Sequence, residues 1–447
     1  MAPLSQGQIG HSYFQRSFLS VDVTSSKPEQ QETESAYAWL RLCAALALMT
    51  LGGAGMYTVT VVLPRVQSEF GVGRSDASLP YTLTMIGFAL GGILMGKLSD
   101  RHGVMVPVVL GALCLGTGLI VGGSAASLWQ FGLVQGVLIG LLGTSATFAP
   151  LVADTSLWFT RRRGIAVAIC SSGNYLAGAV WPPVMQYFID RVGWRQAYMG
   201  AGVFCILVML PLALALRRRA PVPAHAASGP AANPAPVENR AERPLGFSPG
   251  TLQLLLCVAG VSCCVAMSMP QVHIVAYCGD LGYGPARGAQ MLSLMLGFGI
   301  VSRLISGWIS DHIGGLRTLL LGSVLQGVAL LLFLPFDGLV SLYVVSALFG
   351  LFQGGIVPSY TLIVREYFTP KEAGARIGTV LMATLFGMAL GGWMSGAIFD
   401  LTGSYRAAFL NGTAWNLLNI GIVVTLLYRA HRRGALVLAG PVSNQPR

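Results

Sequence analysis

Twelve apolar runs, each roughly twenty residues long, leave this chain one solvent in which to fold. At about 1.5 Å of rise per residue such a run makes a helix about 30 Å long, the thickness of a bilayer's hydrocarbon core. Six runs fall near 39–63, 78–98, 104–122, 128–158, 164–189 and 196–216. Six more fall near 250–277, 289–309, 316–335, 338–365, 377–399 and 406–428. Lipid offers backbone groups no hydrogen bonds, so each run must satisfy its own as a helix. The expected class is therefore an all-α membrane protein with twelve transmembrane helices.

The formal charge of +11 raises the question of a nucleic-acid partner, and the placement of the charges answers it. Of 28 Lys and Arg, 21 lie on one face of the membrane, shared by both tails and by the loops after even-numbered helices. The opposite face takes Arg65, Arg74, Arg191, Arg195, Arg287 and Arg406, and Arg303 alone is left inside. Such asymmetry is a topology signal that puts both termini in the cytoplasm of a multi-pass protein of the cell (inner or plasma) membrane. The bilayer is the partner it implies, and no nucleic acid is expected. The eight cysteines sit in or beside apolar runs without metal-ligand spacing, so no metal or cofactor is expected. No Ser/His/Asp set or phosphate-binding glycine loop is present, which argues against an enzyme. No cleavable signal peptide is expected either.

Between the two sets of runs, residues 217–249 are rich in Pro and Ala and lack apolar periodicity, and read as a disordered cytoplasmic linker. They separate six-helix halves at 37–216 and 250–428, with cytoplasmic tails at 1–36 and 429–447. Three motifs recur across the linker in the same order. GKLSDRHG (Gly96 to Gly103) matches GWISDHIG (Gly307 to Gly314), offset by 211 residues at Asp100 and Asp311. WFTRRRGIA matches YFTPKEAGARIG, offset by 209 at Phe159 and Phe368. FIDRVGWRQAY matches IFDLTGSYRAAF, offset by 210 at Asp190 and Asp400. An even number of spans per half makes the repeats parallel, an arrangement in which two bundles rock about a midplane site. In that picture Gly96, Asp100, Arg101, Gly103, Asp311 and Gly314 are gating candidates, with Ser99-Asp100 and Ser310-Asp311 able to cap the helix that follows. The plainer alternative is a pair of tight turns.

GKLSDRHG resembles the loop 2–3 signature of the major facilitator superfamily, and GWISDHIG its weaker second copy. Within that superfamily the order RRRGIA, SSG, PP and GWR over residues 158–198 is similar to the monocarboxylate transporter group and the bacterial oxalate/formate exchange permeases. The resemblance implies transport of a small organic anion, and places Asp100 and Arg101 in a cytoplasmic gate. Monocarboxylate transporters carry an aspartate one turn before their helix 8 arginine, where this chain has Gly299. They also carry a helix 1 lysine, absent here before Arg65, while the oxalate/formate permeases' helix 11 lysine has no counterpart after Arg376. One interior cation suits one carboxylate better than two.

That cation is Arg303, and a charge at the membrane centre costs about 2.5 to 3.5 kcal/mol on insertion scales. It could snorkel to the headgroups, or bond backbone carbonyls between helices. No acid lies within a span to neutralise it; Asp154 and Glu366 come nearest, as expected partners of loop arginines. An anionic substrate is the favoured counter-charge, held by a planar fork of donors. Tyr57, Tyr81, Gln135, Asn174, Tyr175, His273, Gln353, Tyr360 and Asn416 are polar residues within spans that could line the same cavity or tie helices together. His273 is the one that could titrate near neutral pH. The expectation is thus a monomeric transporter of a monocarboxylate, working with a proton, with a counter-anion, or with neither. Its rivals are an efflux permease for an amphipathic compound, and a non-transporting receptor on the same fold.

Overall fold

The computed structural model describes residues 34–159, 162–218 and 244–438. Most of the expected tails and linker therefore lie outside the described residues. Among those described there are twelve helices long and apolar enough to cross a membrane, and no strand. We number them α1 (Ala36–Phe70), α2 (Arg74–His102), α3 (Met105–Gly123), α4 (Leu128–Trp158), α5 (Arg163–Val192) and α6 (Trp194–Leu214). After the linker come α7 (Pro249–Asp280), α8 (Pro285–Ile313), α9 (Gly315–Leu332), α10 (Leu339–Tyr367), α11 (Pro370–Thr402) and α12 (Tyr405–Leu438). The last helix continues ten residues beyond 428, where the sequence alone places the start of the tail.

The repeats share backbone geometry as well as letters. Gly103 ends α2 at φ 86° and Gly314 ends α8 at φ 83°, with amides donating to Ser99 O at 2.8 Å and Ser310 O at 2.9 Å. A left-handed φ is cheap only for glycine, so both helices stop at these residues and not before. This corrects the capping expectation. Ser99-Asp100 and Ser310-Asp311 lie in the final turns of α2 and α8, too early to cap the helices that follow.

The two halves meet along α5–α8 and α2–α11, where one helix backbone lies against its partner's side chains. Leu296 of α8 fills the place a side chain would take at Gly178, and Tyr81 of α2 lies over Gly392 of α11. Lipid provides no hydrophobic drive between helices, so small residues and close packing hold such seams. Leu94, Leu207 and Val324 accordingly turn outward. Inside the first half, α4 departs from regular geometry, with wide turns over Val134–Gly143 and tight ones over Thr144–Thr147. Wide turns of this kind frequently mark functional sites.

Two further arginines are enclosed by the helices, which corrects the reading of Arg303 as the only interior charge. Arg41 of α1 is 2% exposed and forks onto Asp154 of α4, with Nε to Oδ2 at 2.8 Å and Nη2 to Oδ1 at 2.9 Å. Asp154 is thus paired inside the bundle, where a loop arginine had been expected. Removing one member of an enclosed pair strands the other charge, at about 3 to 5 kcal/mol. Arg41→Leu should lower the melting temperature in detergent sharply, and Arg41→Leu with Asp154→Leu should recover most of the loss. An equal loss in both variants would mean that the pair contributes nothing beyond its packing.

Candidate functional site

Arg303 projects from α8 ten residues before its end at Ile313, about 15 Å along the axis and deeper than the sequence suggests. Its side chain turns onto α5 of the other half. There Nη1 donates to the Ser171 carbonyl oxygen at 3.1 Å, and the guanidinium carbon stands 4.5 Å from the centre of the Tyr175 ring. Stacking on an aromatic face is a favourable seat for guanidinium. It neutralises no charge, however, and Nε is enclosed without a hydrogen-bond partner. Among the described residues no acid pairs with Arg303, whereas Arg41 has Asp154 and the enclosed Arg74 has Asp280. A desolvated donor left unmade costs about 1 to 3 kcal/mol, more for a charged group.

The position one turn before Arg303 explains why no acid stands there. A Cβ on Gly299 would overlap the Tyr175 ring on one side, and the Gly299 carbonyl lies against Gly354 of α10 on the other. Tyr175 occupies the space that an acidic side chain would need, and at the same time carries the guanidinium. Backbone and ring together hold Arg303 in one plane. The Tyr57 ring of α1 lies across Gly178, one turn from Tyr175 on α5. The hydroxyls of Tyr57 and Tyr81 find no hydrogen-bond partner among the described residues. Asn174, half-buried on α5, faces Gly53 of α1.

Four of the other expected binding residues are engaged in ties between helices. Gln135 donates to the Tyr198 hydroxyl at 2.8 Å and accepts from Thr84 at 3.2 Å. Tyr360 donates to Asn419 at 3.1 Å. Gln353 accepts from Gln271 at 3.0 Å, while its own Nε2 is enclosed and unpartnered. His273 lies nearer the opposite end of the bundle, with Nδ1 3.1 Å from the Tyr405 hydroxyl and Nε2 2.8 Å from the Gly392 carbonyl. Of the gating candidates, Asp100, Arg101 and Asp311 are exposed and make no ion pair among the described residues. Gly96 has open space around it. Neither of two surface clefts of about 370 and 420 Å³ is lined by Arg303; one lies beside Arg65 and Trp194 and the other along the α5–α8 seam.

Sequence reasoning missed a dense polar contact between the halves. Helix α2 begins at Gly73, which has no side chain to cap it. Asp400, at the end of α11 in the other half, supplies the cap: its carboxylate accepts from the amides of Arg74 at 2.7 Å and Ser75 at 2.8 Å, and from Ser75 Oγ at 2.6 Å. A carboxylate there meets free N–H groups and the positive end of the helix dipole. Arg74 itself donates to Gln67 at 2.5 Å, to the Tyr405 hydroxyl at 2.6 Å and to Asp280 at 2.7 Å, with Phe399 against its guanidinium at 4.6 Å. The available signal was the repeated aspartate of FIDRVG and IFDLTG together with an uncapped glycine start. Which of two copies crosses the seam is not written in either motif. Asp190 accepts from Gln186 of its own helix at 2.8 Å instead.

Comparison with known proteins identifies the family and the fold. The family model for the Major Facilitator Superfamily matches residues 45–341 and 300–441. Monocarboxylate transporter 13 of Bos taurus is 29% identical over 358 residues, covering 78% of this chain and 79% of that protein. Monocarboxylate transporter 12 of Mus musculus is 25% identical over 406 residues, covering 84% and 82%. Among solved structures, the nucleoside transporter NupG superposes with a TM-score of 0.66 at 12% identity, over 87% of this chain and 99% of that one.

Proposed function

The chain belongs to the major facilitator superfamily, and from that premise we propose that it carries a small organic monoanion across the membrane by alternating access, with Arg303 holding the carboxylate. The observation that supports this most is the unanswered guanidinium: Nη1 is committed to Ser171, Nε is enclosed without a partner, and no described acid faces it. The Nε and Nη2 edge is the side-on fork that takes a carboxylate in two parallel bonds. A bound monoanion completes the site and cancels its charge; a dicarboxylate brings a second charge with no second cation to meet it.

In this reading both termini are cytoplasmic, the Asp100 end faces the cytoplasm, and the Arg74 end faces outward and is shut in this conformation. Asp100, Arg101 and Asp311 then act when the cytoplasmic end closes. With no acid beside Arg303, the site suits exchange, facilitated diffusion, or symport of a substrate that brings its own proton. A ligand screen by thermal shift, followed by uptake into liposomes, tests the reading. Monocarboxylates should stabilise the purified protein and be taken up, and dicarboxylates of similar size should do so at least about tenfold more weakly. Preferential uptake of an amphipathic cation or a neutral compound would overturn it in favour of efflux.

A further inference from the structure

The hydrogen bonds around Arg74 run through Tyr405 and end on the imidazole of His273. The Gly392 carbonyl only accepts, so His273 Nε2, 2.8 Å away, carries a proton. Arg74 only donates, so the Tyr405 oxygen accepts from it at 2.6 Å. The tyrosine's own hydrogen is then free for His273 Nδ1 at 3.1 Å, which must be bare to receive it. The closed arrangement is therefore complete only with a neutral imidazole in its Nε2–H form.

From this geometry we infer that His273 is a proton-binding site which governs the outer closure: a proton on Nδ1 releases the lock that Arg74, Asp280, Tyr405 and Asp400 hold shut. A protonated Nδ1 would point its hydrogen at the tyrosine's hydrogen, and the hydroxyl would have to turn away. It would also set a second cation near Arg74 among buried side chains. The charged groups of this cluster are Arg74 of α2, which reaches the imidazole through Tyr405, and Asp400 of α11, which caps the helix that carries Arg74. Asp400 is already occupied by the amides of α2, and Asp280 of α7 is committed to Arg74. Tyr405 stands on α12, and α1 adds only the neutral amide of Gln67, which reaches the cluster through Arg74. No group is left to accommodate a new positive charge while the lock stays shut. By linkage, whatever opens the lock raises the affinity for the proton, and the proton raises the open population equally.

The inference uses the outward placement of the Arg74 end and is independent of what Arg303 binds. In the open state an imidazole of ordinary pKa, about 6.5, is mostly charged at pH about 5.5, so acid should favour opening by up to about tenfold over pH about 8. The test is a distance measurement by paired spin labels on Ser68→Cys and Leu401→Cys, both exposed at this end on opposite halves, in a cysteine-free full-length protein in nanodiscs. The parent should gain a longer-distance population as pH falls over that interval. His273→Gln, which keeps a donor and an acceptor but cannot titrate, should lose the response. Tyr405→Phe keeps the ring contacts with Phe399 and Tyr277 and should lose the response too. Arg74→Gln should show the longer distance at every pH. A parent distribution unchanged with pH, or a full response retained in His273→Gln, would overturn the inference. The response should persist in Arg303→Ala, so failure of the carboxylate reading would leave this one standing.

Discussion

Arg303→Ala is expected to abolish carboxylate uptake while leaving the protein at least as heat-stable as the parent. The two halves of that result come from the same geometry. Truncating one partner of a buried, hydrogen-bonded charge pair costs about 2 to 5 kcal/mol, which is about 30- to 4,000-fold in affinity. The empty site, by contrast, holds a half-buried cation with an unmade Nε bond, and has one bond to Ser171 and the Tyr175 ring face in return. Removing an uncompensated enclosed charge relieves the fold. A purely structural arginine behaves the other way: its loss lowers the melting temperature and leaves the substrate preference of the surviving protein unchanged. Arg303→Lys keeps the charge and loses the planar fork, so it should transport more weakly than the parent and more strongly than the alanine variant.

The second large effect is expected at Gly299. Any side chain there meets the Tyr175 ring, so Gly299→Asp should displace the ring from under Arg303 and silence transport. Overpacking alone costs about 1 to 3 kcal/mol, and the carboxylate would also become an internal counter-ion for the guanidinium. Gly299→Asp with Tyr175→Ala makes room for the acid, and stability should return. Monoanion uptake in this double variant should stay lost although the fold recovers. At neutral pH the aspartate occupies the fork, and the neighbouring guanidinium holds it ionised, so no monoanion takes its place. Full activity in Gly299→Asp alone would mean that Tyr175 does not hold the arginine.

The number of spans and the repeat were legible in the letters because lipid leaves so little freedom: a run of twenty apolar residues has one backbone solution, and a glycine at a left-handed turn repeats its geometry wherever it recurs. Arg303 was legible for the same reason, as a charge where charges are expensive. Its surroundings were not. Nothing in the sequence says that Tyr175 of α5 lies across the seam at the height of Gly299, because that contact depends on how two distant helices are rotated. Gln135, Gln353 and Tyr360 show the same limit, since a polar residue in a span reads alike whether it faces a cavity or bonds a neighbouring helix. The sequence reads Arg74 as a loop charge because it stands at a helix start, yet the opposite half folds over it and encloses it. His273 was singled out as the group able to titrate, and its setting is the Arg74 cluster, away from Arg303.

The most direct test of the central claim compares a bound monocarboxylate with its neutral amide, in the parent and in Arg303→Ala, by calorimetric titration at one pH and salt concentration. The pair differs by little except the charge that Arg303 is assigned to meet. The parent should bind the carboxylate at least about 30-fold more tightly than the amide, and Arg303→Ala should bind the two about equally. A preference for the carboxylate that survives undiminished in Arg303→Ala would contradict the assignment.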